Sequence, residues 1–181
     1  MKRTFLLMGA LLLLGSVASA TSTGLKWTAG WDKFSEPLNY KKSKISYSVN
    51  AAKSTLAVTY TLVGANPNKL YQVGVTFVCT TFPVTFGNFP TDGGGGTCGS
   101  ITRQGVTKTI ATVELGVVTT DEHGNGSFKV TIGPIAAGTY TAEFQARDGA
   151  GCNVKGGGSD CDIDFQSPGP TFGDTTTITI P

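Results

Sequence analysis

The strongest constraint on the fold of this chain is the alternation of apolar and polar residues with a period of two. From Thr55 to Leu62, leucine, valine and tyrosine occupy every second position, and threonine or alanine occupies the positions between. Period two is typical of a β-strand that buries one face, and no useful length of sequence after the N-terminal segment has the 3.6-residue period of a helix. The same alternation recurs in residues 71–79, 127–132 and 140–147. The sequence therefore predicts an all-β chain.

The alternating runs, and the Gly, Pro, Asn and Asp residues between them, predict about eight strands. Because the strands follow one another without helices, we expect antiparallel pairing, and because each buries one face, two sheets must cover each other. Charged residues make up only 14% of the chain, which is too few for helical surfaces rich in Glu, Lys and Arg. The predicted fold is a two-sheet antiparallel sandwich. Its predicted strands are Leu25–Lys33, Ile45–Asn50, 54–63, 70–81, 107–119, 126–132, 138–147 and 174–180.

The N-terminus has the three parts of a secretory signal peptide. Two basic residues precede an apolar run that ends at Leu14, and Gly15–Ala20 then offers the small residues that a signal peptidase reads. The run is too short to span a bilayer comfortably, so a retained anchor is the less favoured alternative. We expect residues 1–20 to be a cleaved signal peptide and residues 21–181 to form one β-sandwich domain. The product is expected to be secreted, periplasmic or on the surface of a bacterial cell.

Net charge argues against partners that need a strongly basic protein. The full chain has 14 basic and 12 acidic residues, and cleavage after Ala20 removes two of the basic ones, which leaves 12 of each. A neutral product has no electrostatic footprint for nucleic acid or anionic lipid, so neither nucleic acid nor membrane is expected as a partner. Lys41, Lys42 and Lys44 do cluster, but three charges at the entry to a strand are usually a solvated turn.

Two local motifs carry a resemblance to a known class of sandwich. Asn125–Gly126, between two alternating runs, is a strong hairpin signal because both residues tolerate positive φ. Further on, a Pro-containing loop is followed by AAGTYTAEFQAR, with Tyr140 near the start of its strand, and by a long loop and a Thr/Ile-rich closing strand. Over residues 44–181 this resembles secreted immunoglobulin-like and fibronectin-III-like modules, in which such a Tyr often bonds back to the preceding corner. The resemblance implies a Greek-key sandwich, although the third strand lacks the Trp of antibody domains.

Four cysteines in an exported chain are predicted to form two disulfides. Their spacings, with 18 and 8 residues between the members of each successive pair, do not match the short Cys pairs of a zinc site. Since strand direction alternates, the loops after the strands 70–81 and 138–147 are expected at opposite ends of the sandwich. This placement favours two loop-closing bridges over either crossed pairing. The favoured bridges are Cys79–Cys98 and Cys152–Cys161.

Few side chains suit catalysis. His123 is the one histidine, and most catalytic zinc or copper sites need two or three, so an exposed turn residue is the favoured interpretation. No catalytic residue is assigned. Glu114 and Glu143 are the carboxylates considered for a hydrolase, but Glu143 is expected on the solvent face of its strand without a partner.

Asp160, Asp162 and Asp164 form a D-x-D-x-D pattern in the loop after the strand 138–147. Closely spaced carboxylates bind Ca²⁺, which makes these three a candidate metal site and Ca²⁺ the candidate cofactor. The pattern lacks the Gly and the Glu that an EF-hand loop needs at its sixth and twelfth positions. Because the ligand set is incomplete, a polar loop face is the favoured interpretation.

The favoured function is a non-enzymatic extracytoplasmic module for surface attachment or partner binding, with an extracellular protein or glycan as the partner. A carbohydrate-binding module is the main alternative, and a carboxylate-dependent hydrolase is a more distant one. The loops 64–68, 121–126 and 149–170 are expected to meet at one end of the sandwich, where rigid scaffolds commonly carry recognition. The last of these loops is the expected binding site, and the Phe-rich segment 82–89 at the opposite end is expected to serve packing.

Overall fold

The computed structural model describes residues 22–29, 36–78, 99–103, 106–148, 163–167 and 176–181. Within these ranges the chain is all-β, with eleven strands in two antiparallel sheets and one turn of 3₁₀ helix at Ala51–Lys53. No helix in this part of the chain is long and apolar enough to cross a membrane. The strands are β1 (Thr23–Lys26), β2 (Thr28–Ala29), β3 (Lys44–Asn50), β4 (Thr55–Leu62), β5 (Leu70–Val78), β6 (Gly99–Arg103), β7 (Val106–Thr119), β8 (Gly126–Ile132), β9 (Gly138–Asp148), β10 (Ile163–Gln166) and β11 (Thr176–Ile180).

The strands divide into a smaller and a larger sheet. The smaller sheet has the order β1–β3–β4–β8, and the larger has the order β2–β10–β9–β5–β7–β6, with β11 also paired to β9. From β3 to β9 the chain changes sheet three times, between β4 and β5, between β7 and β8, and between β8 and β9. The apolar sides of the two sheets share one core, so the fold is sandwich-like.

The packing of β4 shows why the alternation predicted this fold. Its apolar side chains are fully buried, whereas the threonines and alanine between them are half-buried. Phe144 of β9 packs against Tyr60 and Tyr47 of the smaller sheet, with ring centroids 6.2 and 5.7 Å apart. The buried hydroxyl of Tyr60 donates to the carbonyl of Gly74 on β5 at 2.9 Å. The core therefore joins the sheets through aromatic contacts and a satisfied polar group.

Most predicted strands are confirmed with small changes at their ends. The predictions at 45–50, 54–63, 107–119, 126–132, 138–147 and 174–180 correspond to β3, β4, β7, β8, β9 and β11. The predicted strand 70–81 corresponds to β5 as far as Val78, beyond which it lies outside the residues described. The side-chain period is thus sufficient to locate the long strands.

The prediction of one strand over Leu25–Lys33 is wrong in the part that the structure describes. The chain forms β1 in the smaller sheet and β2 in the larger, with Trp27 between them. Trp27 is 2% exposed, and its indole N–H donates to the carbonyl of Thr61 at 3.1 Å. The segment changes sheet at Trp27 because the indole enters the core at that point. Residues 30–33 are outside the described ranges.

Two short strands, β6 and β10, were not predicted. β10 has a register shift between Ile163 and Phe165. Both apolar side chains are consequently buried, and so is Asp164 between them. A bulge of this kind removes the alternation on which the prediction depended.

Candidate functional site

Two loops at one end of the sandwich are hydrogen-bonded to each other. The first connects β4 to β5 and the second connects β7 to β8. The backbone N–H of Ala65 donates to Gly124 O at 2.9 Å, and that of Asn68 donates to Asp121 O at 3.0 Å. The hydroxyl of Thr120 adds a third link, because it donates to Asn66 O at 2.6 Å. We call the following three segments the loop end: Asn39–Ser43, Gly64–Lys69 and Thr120–Gly126.

The prediction that these loops meet at one end is confirmed for the two that the structure describes. The third, 149–170, lies outside the described ranges except for β10 and Ser167. The turn Asn39–Ser43 joins the group from the side of β3, since the N–H of Asn39 donates to Val63 O at 2.8 Å. The loop end is therefore a contiguous surface built from three connections.

One carboxylate organises the turn after β7. Oδ1 of Asp121 accepts hydrogen bonds from the backbone N–H groups of Asn125 and His123, each at 2.8 Å. The bond from Asn125, followed by that from His123, holds the pKa of Asp121 below its usual value. Gly124 has a φ of +75°, and a Cβ there would lie 2.0 Å from the carbonyl oxygen of Ala65. The turn is rigid because side-chain and backbone geometry both specify it.

His123 lies in this turn as an exposed residue, as predicted. Its Nε2 lies 3.6 Å from Oε1 of Glu122, and both side chains are largely in solvent. Asn125, which follows, accepts a hydrogen bond through Oδ1 from the N–H of Gly64 at 3.3 Å. Glu122 and His123 therefore lie on a turn that is hydrogen-bonded to the neighbouring loop.

Glu36 fixes the other side of the first loop. Its carboxylate forms an ion pair with Lys69 and accepts the Tyr71 hydroxyl at 2.5 Å. The same hydroxyl accepts the N–H of Asn66 at 3.1 Å. Burial, and then the hydrogen bond to Glu36, raise the pKa of Tyr71 far above its ordinary value. The phenol consequently remains a donor at any physiological pH.

The outward side of the larger sheet carries a polar cluster, which we call the covered face. It consists of the side chains of β5, β7 and β9 that point away from the core. Gly74 lies at its centre, directly between Gln145 and Glu114 in neighbouring strands. Although these positions face outward, Glu143 is 3% exposed and Gln145 is 6% exposed. Burial of such polar groups requires hydrogen-bond partners.

Those partners come largely from within the cluster. Nη2 of Arg147 donates to Oε1 of Gln145 at 2.6 Å, and Nε2 of Gln145 donates to Oε1 of Glu143 at 2.7 Å. Across the strands, the amide of Gln72 donates to the carboxylate of Glu114. The expectation that Glu143 lies in solvent without a partner is therefore wrong. Alternation identifies the face on which a side chain lies, but it does not tell whether that face is covered.

The structure brings the two candidate hydrolase carboxylates onto one face. Glu114 lies on β7 and Glu143 on β9, with β5 between them. The two strands are therefore about 10 Å apart, which is two strand spacings. Each accepts a hydrogen bond from a glutamine amide. Gln145 and Arg147, two and four residues beyond Glu143 on the same strand, share its face, but sequence reasoning did not single them out as members of this cluster.

The remaining site predictions lie mostly outside the described residues. These are Asp160, Asp162, Cys79, Cys98, Cys152, Cys161 and the segment 82–89. Asp164 is described and buried, and its charge contributes to the raised pKa of Tyr71. Among the residues that can be placed, no group of three His, Cys, Asp or Glu side chains is arranged to hold a metal ion. The Ca²⁺ site and the disulfides stay predictions.

No protein-family model matches the chain, and no curated protein sequence matches it either. Three surfaces of the molecule remain as candidates for function: the loop end, the covered face and the outward side of the smaller sheet.

Proposed function

We propose that this protein is a non-enzymatic extracytoplasmic binding module with an immunoglobulin-like sandwich, and that it serves surface attachment or partner binding. The observation that carries the proposal is the preformed loop end. Hydrogen bonds between the loops hold its backbone, so the backbone that carries its exposed side chains is already ordered. A surface of this kind binds a partner without first losing loop entropy, and this is why rigid scaffolds place recognition on such loops.

The strand order supports the immunoglobulin-like assignment. β3, β4 and β8 occupy the places of strands A, B and E, and β5, β9 and β11 occupy those of C, F and G. The hydroxyl of Tyr140, two residues into β9, donates to Ala136 O at 2.7 Å. This bond has the form of the tyrosine corner in that fold. β7 departs from the constant-type pattern, because it pairs with β5 and so stands beside strand C.

The register of the larger sheet favours two local disulfides over crossed pairings as part of this proposal. Val78 and Gly99, the described neighbours of Cys79 and Cys98, pair with Ile110 from the two sides of β7, so they lie at the same level of the sheet, about 10 Å apart at two strand spacings. Arg147 lies opposite Ile163, so the segment with Cys152 and Cys161 begins and ends on adjacent strands. Since Val78 and Arg147 are near opposite ends of β5, a crossed bridge would have to span the length of the sheet.

A binding assay with matched variants tests the proposal. Residues 21–181 are passed over immobilised fibrinogen, collagen, cellulose, chitin and peptidoglycan, and binding is followed by surface plasmon resonance. The variant Glu122→Ala/His123→Ala removes exposed side chains at the loop end, and Lys53→Ala in the 3₁₀ turn at the opposite end is the control. We expect saturable binding to at least one surface, weakened by the loop-end variant alone. Saturable binding that both variants leave unchanged would contradict the proposed location.

If the protein is a hydrolase, the same polysaccharides give a different result. Release of reducing sugar from any of the polysaccharides, abolished by Glu114→Gln or Glu143→Gln, would replace the proposed function with catalysis. Ca²⁺ is tested separately by titration against the thermal midpoint, because a ligand bound only by the folded state raises that midpoint. Absence of a shift at millimolar Ca²⁺ would remove the metal prediction while leaving the binding function in place.

A carbohydrate-binding module is the second candidate, and one observation favours it. The outward side of the smaller sheet, which we call the open face, is formed by the side chains of β1, β3, β4 and β8 that point away from the core. Its serine and threonine side chains are partly or fully exposed. Hydroxyl groups both donate and accept hydrogen bonds, which suits them to sugar hydroxyls. They are Ser46, Ser48, Thr55, Thr59, Thr61, Ser127 and Thr131.

A further inference from the structure

Strand pairing brings distant lysines together on the open face. Lys26 of β1 lies directly opposite Lys44 of β3. Lys44 in turn lies opposite Thr61 of β4, which is opposite Ser127 of β8. This row of four residues borders the loop end, since Lys44 follows directly after the turn Asn39–Ser43.

The next row repeats the same chemistry. Ser46 and Thr59 lie opposite each other on β3 and β4, and Lys129 of β8 lies opposite Thr59. Lys26, Lys44 and Lys129 are all exposed. Two more exposed lysines, Lys41 and Lys42, stand in the adjoining turn of the loop end.

Acidic residues are absent from the strands of this sheet. The sequences of β1, β3, β4 and β8 contain three lysines and no Asp or Glu. Lys69 pairs with Glu36 and His123 pairs with Glu122, and neither pair involves these lysines. The described strands of this sheet therefore carry net positive charge on their outward side, although the expected mature chain is neutral in total.

Stability does not account for the arrangement. Like charges directly opposite in neighbouring strands have Cβ atoms about 5 Å apart and destabilise a sheet. Lys26 and Lys44 occupy such a pair, and the sequence places neither a carboxylate nor a neutral residue at either position. A ligand that carries negative charge would convert this repulsion into attraction.

We infer that the open face binds an anionic polysaccharide, with Lys26 and Lys44 as the main charged contacts. The inference rests on the second candidate function, a carbohydrate-binding module on the open face, and specifies its ligand class. The lysines supply charge, while the serines and threonines between them supply hydrogen bonds to sugar hydroxyls and ring substituents. The face extends over four strands, which is roughly 14 Å across at the usual spacing. It therefore accommodates several consecutive sugar units of a linear chain.

The composition of the face favours a polysaccharide over other polyanions. Its outward side chains in the described strands include no large apolar group to insert into a bilayer. They also include neither Arg nor an aromatic ring, on which single-stranded nucleic acids stack. The earlier interpretation of Lys41, Lys42 and Lys44 as a solvated turn did not include Lys26, which becomes a neighbour only through the pairing of β1 with β3.

The test compares charged and uncharged polysaccharides on residues 21–181. Affinities for dextran sulfate and polygalacturonate are measured by isothermal titration calorimetry, with uncharged dextran as the matched polymer. We expect binding to the two charged polymers, none to dextran, and weakening between 50 mM and 500 mM NaCl because salt screens exposed charges. Lys26→Gln/Lys44→Gln is expected to weaken binding roughly twentyfold, at about fivefold for each lysine near an anionic surface.

Matched variants separate charge from folding. Lys53→Gln makes the same change at the opposite end of the sheet and is expected to leave affinity within about twofold, since exposed charges beyond a Debye length are largely screened. Lys26→Arg/Lys44→Arg keeps the charge and is expected to keep most of the binding. Each variant's thermal midpoint is recorded, so that loss of binding with an unchanged midpoint identifies a loss of contacts.

Several results would overturn the inference. Equal affinity for dextran, or an unchanged affinity of Lys26→Gln/Lys44→Gln, would remove the anionic ligand while leaving the binding function intact. Tighter binding to duplex DNA, or to vesicles that contain phosphatidylglycerol, would assign the face to another polyanion. Release of reducing ends from polygalacturonate would instead overturn the proposed function itself.

Discussion

On the open face of the sandwich, serine, threonine and lysine side chains are partly or fully exposed, whereas on the covered face Glu143 and Gln145 are buried and bonded to each other, and Arg147 beside them is half-buried. Both faces are formed by the residues that alternate with the core positions of long strands. The covered face contains the chain Arg147–Gln145–Glu143, in which each member contacts the next. The open face contains Lys26 beside Lys44, a pair that repels.

The difference shows how burial restricts chemistry. A buried carboxylate or amide without a partner loses the hydrogen bonds that water would supply, so the covered face needs side chains that satisfy one another. Water supplies those bonds on the open face, and its residues are consequently free to be selected for a ligand. The covered face is therefore expected to affect stability when altered, and the open face is expected to affect binding. The following substitutions test this comparison.

The largest effect is expected in the core between the two faces. Phe144 is fully buried and packs on Tyr60 and Tyr47. Phe144→Ala is expected to lower the free energy of unfolding by about 3–5 kcal/mol, measured by urea denaturation. Thr59→Ala on the open face is the reference and is expected to stay within about 0.5 kcal/mol. If both substitutions change the free energy of unfolding by similar amounts, the assignment of Phe144 to the core and of Thr59 to the outward side is wrong.

The two predicted disulfides lie in the segments that follow β5 and β9 of the larger sheet along the chain. Closure of each loop is expected to contribute about 3 kcal/mol through the entropy of the unfolded chain. Cys152→Ser/Cys161→Ser should lose that amount in urea denaturation, and reducing agent should have no further effect on this bridge. Peptide mapping without reduction provides the direct measurement. A linked peptide containing Cys79 and either Cys152 or Cys161 would contradict the local pairing.

Glu143 tests the covered face itself. Glu143→Ala leaves the buried amide of Gln145 without this carboxylate, at a cost of about 1–3 kcal/mol. This is less than for Phe144→Ala and more than for Thr59→Ala, although Glu143 and Thr59 both occupy outward positions. Urea denaturation of the three variants in one buffer gives the order. If Glu143→Ala and Thr59→Ala lower the free energy of unfolding by the same amount, the two outward faces do not differ in burial.

The smallest effect, and one of opposite sign, is expected on the open face. Lys26→Gln/Lys44→Gln removes a like-charge pair and is expected to raise the free energy of unfolding by about 0.3 kcal/mol at low salt. The gain should disappear at 500 mM NaCl, because salt already screens the repulsion in the unsubstituted protein. A clear loss of stability at low salt would mean that these lysines have structural partners.

Sequence reasoning located the long strands because burial of one side imposes a period of two on residues such as those of β4. It also identified the Tyr140 corner, where the hydroxyl bonds back to Ala136 O. It was wrong about a hairpin at Asn125–Gly126, because the positive φ lies at Gly124 and the turn connects β7 and β8 of different sheets. It failed at Trp27 and at β10, where a change of sheet or a bulge interrupts the period. It also failed at Glu143, whose burial depends on what lies above the sheet.

The sequence by itself determined that this protein is all-β, where its long strands lie, and which side chains of those strands share a face, because these follow from local periodicity. Only the tertiary structure decided which strands are neighbours. β1 meets β3 and places Lys26 against Lys44, while β5 separates Glu114 from Glu143. Such neighbours are set by the crossing of the chain between two sheets, and that crossing depends on how the whole core packs. The two-residue period of a single strand contains no information about that crossing.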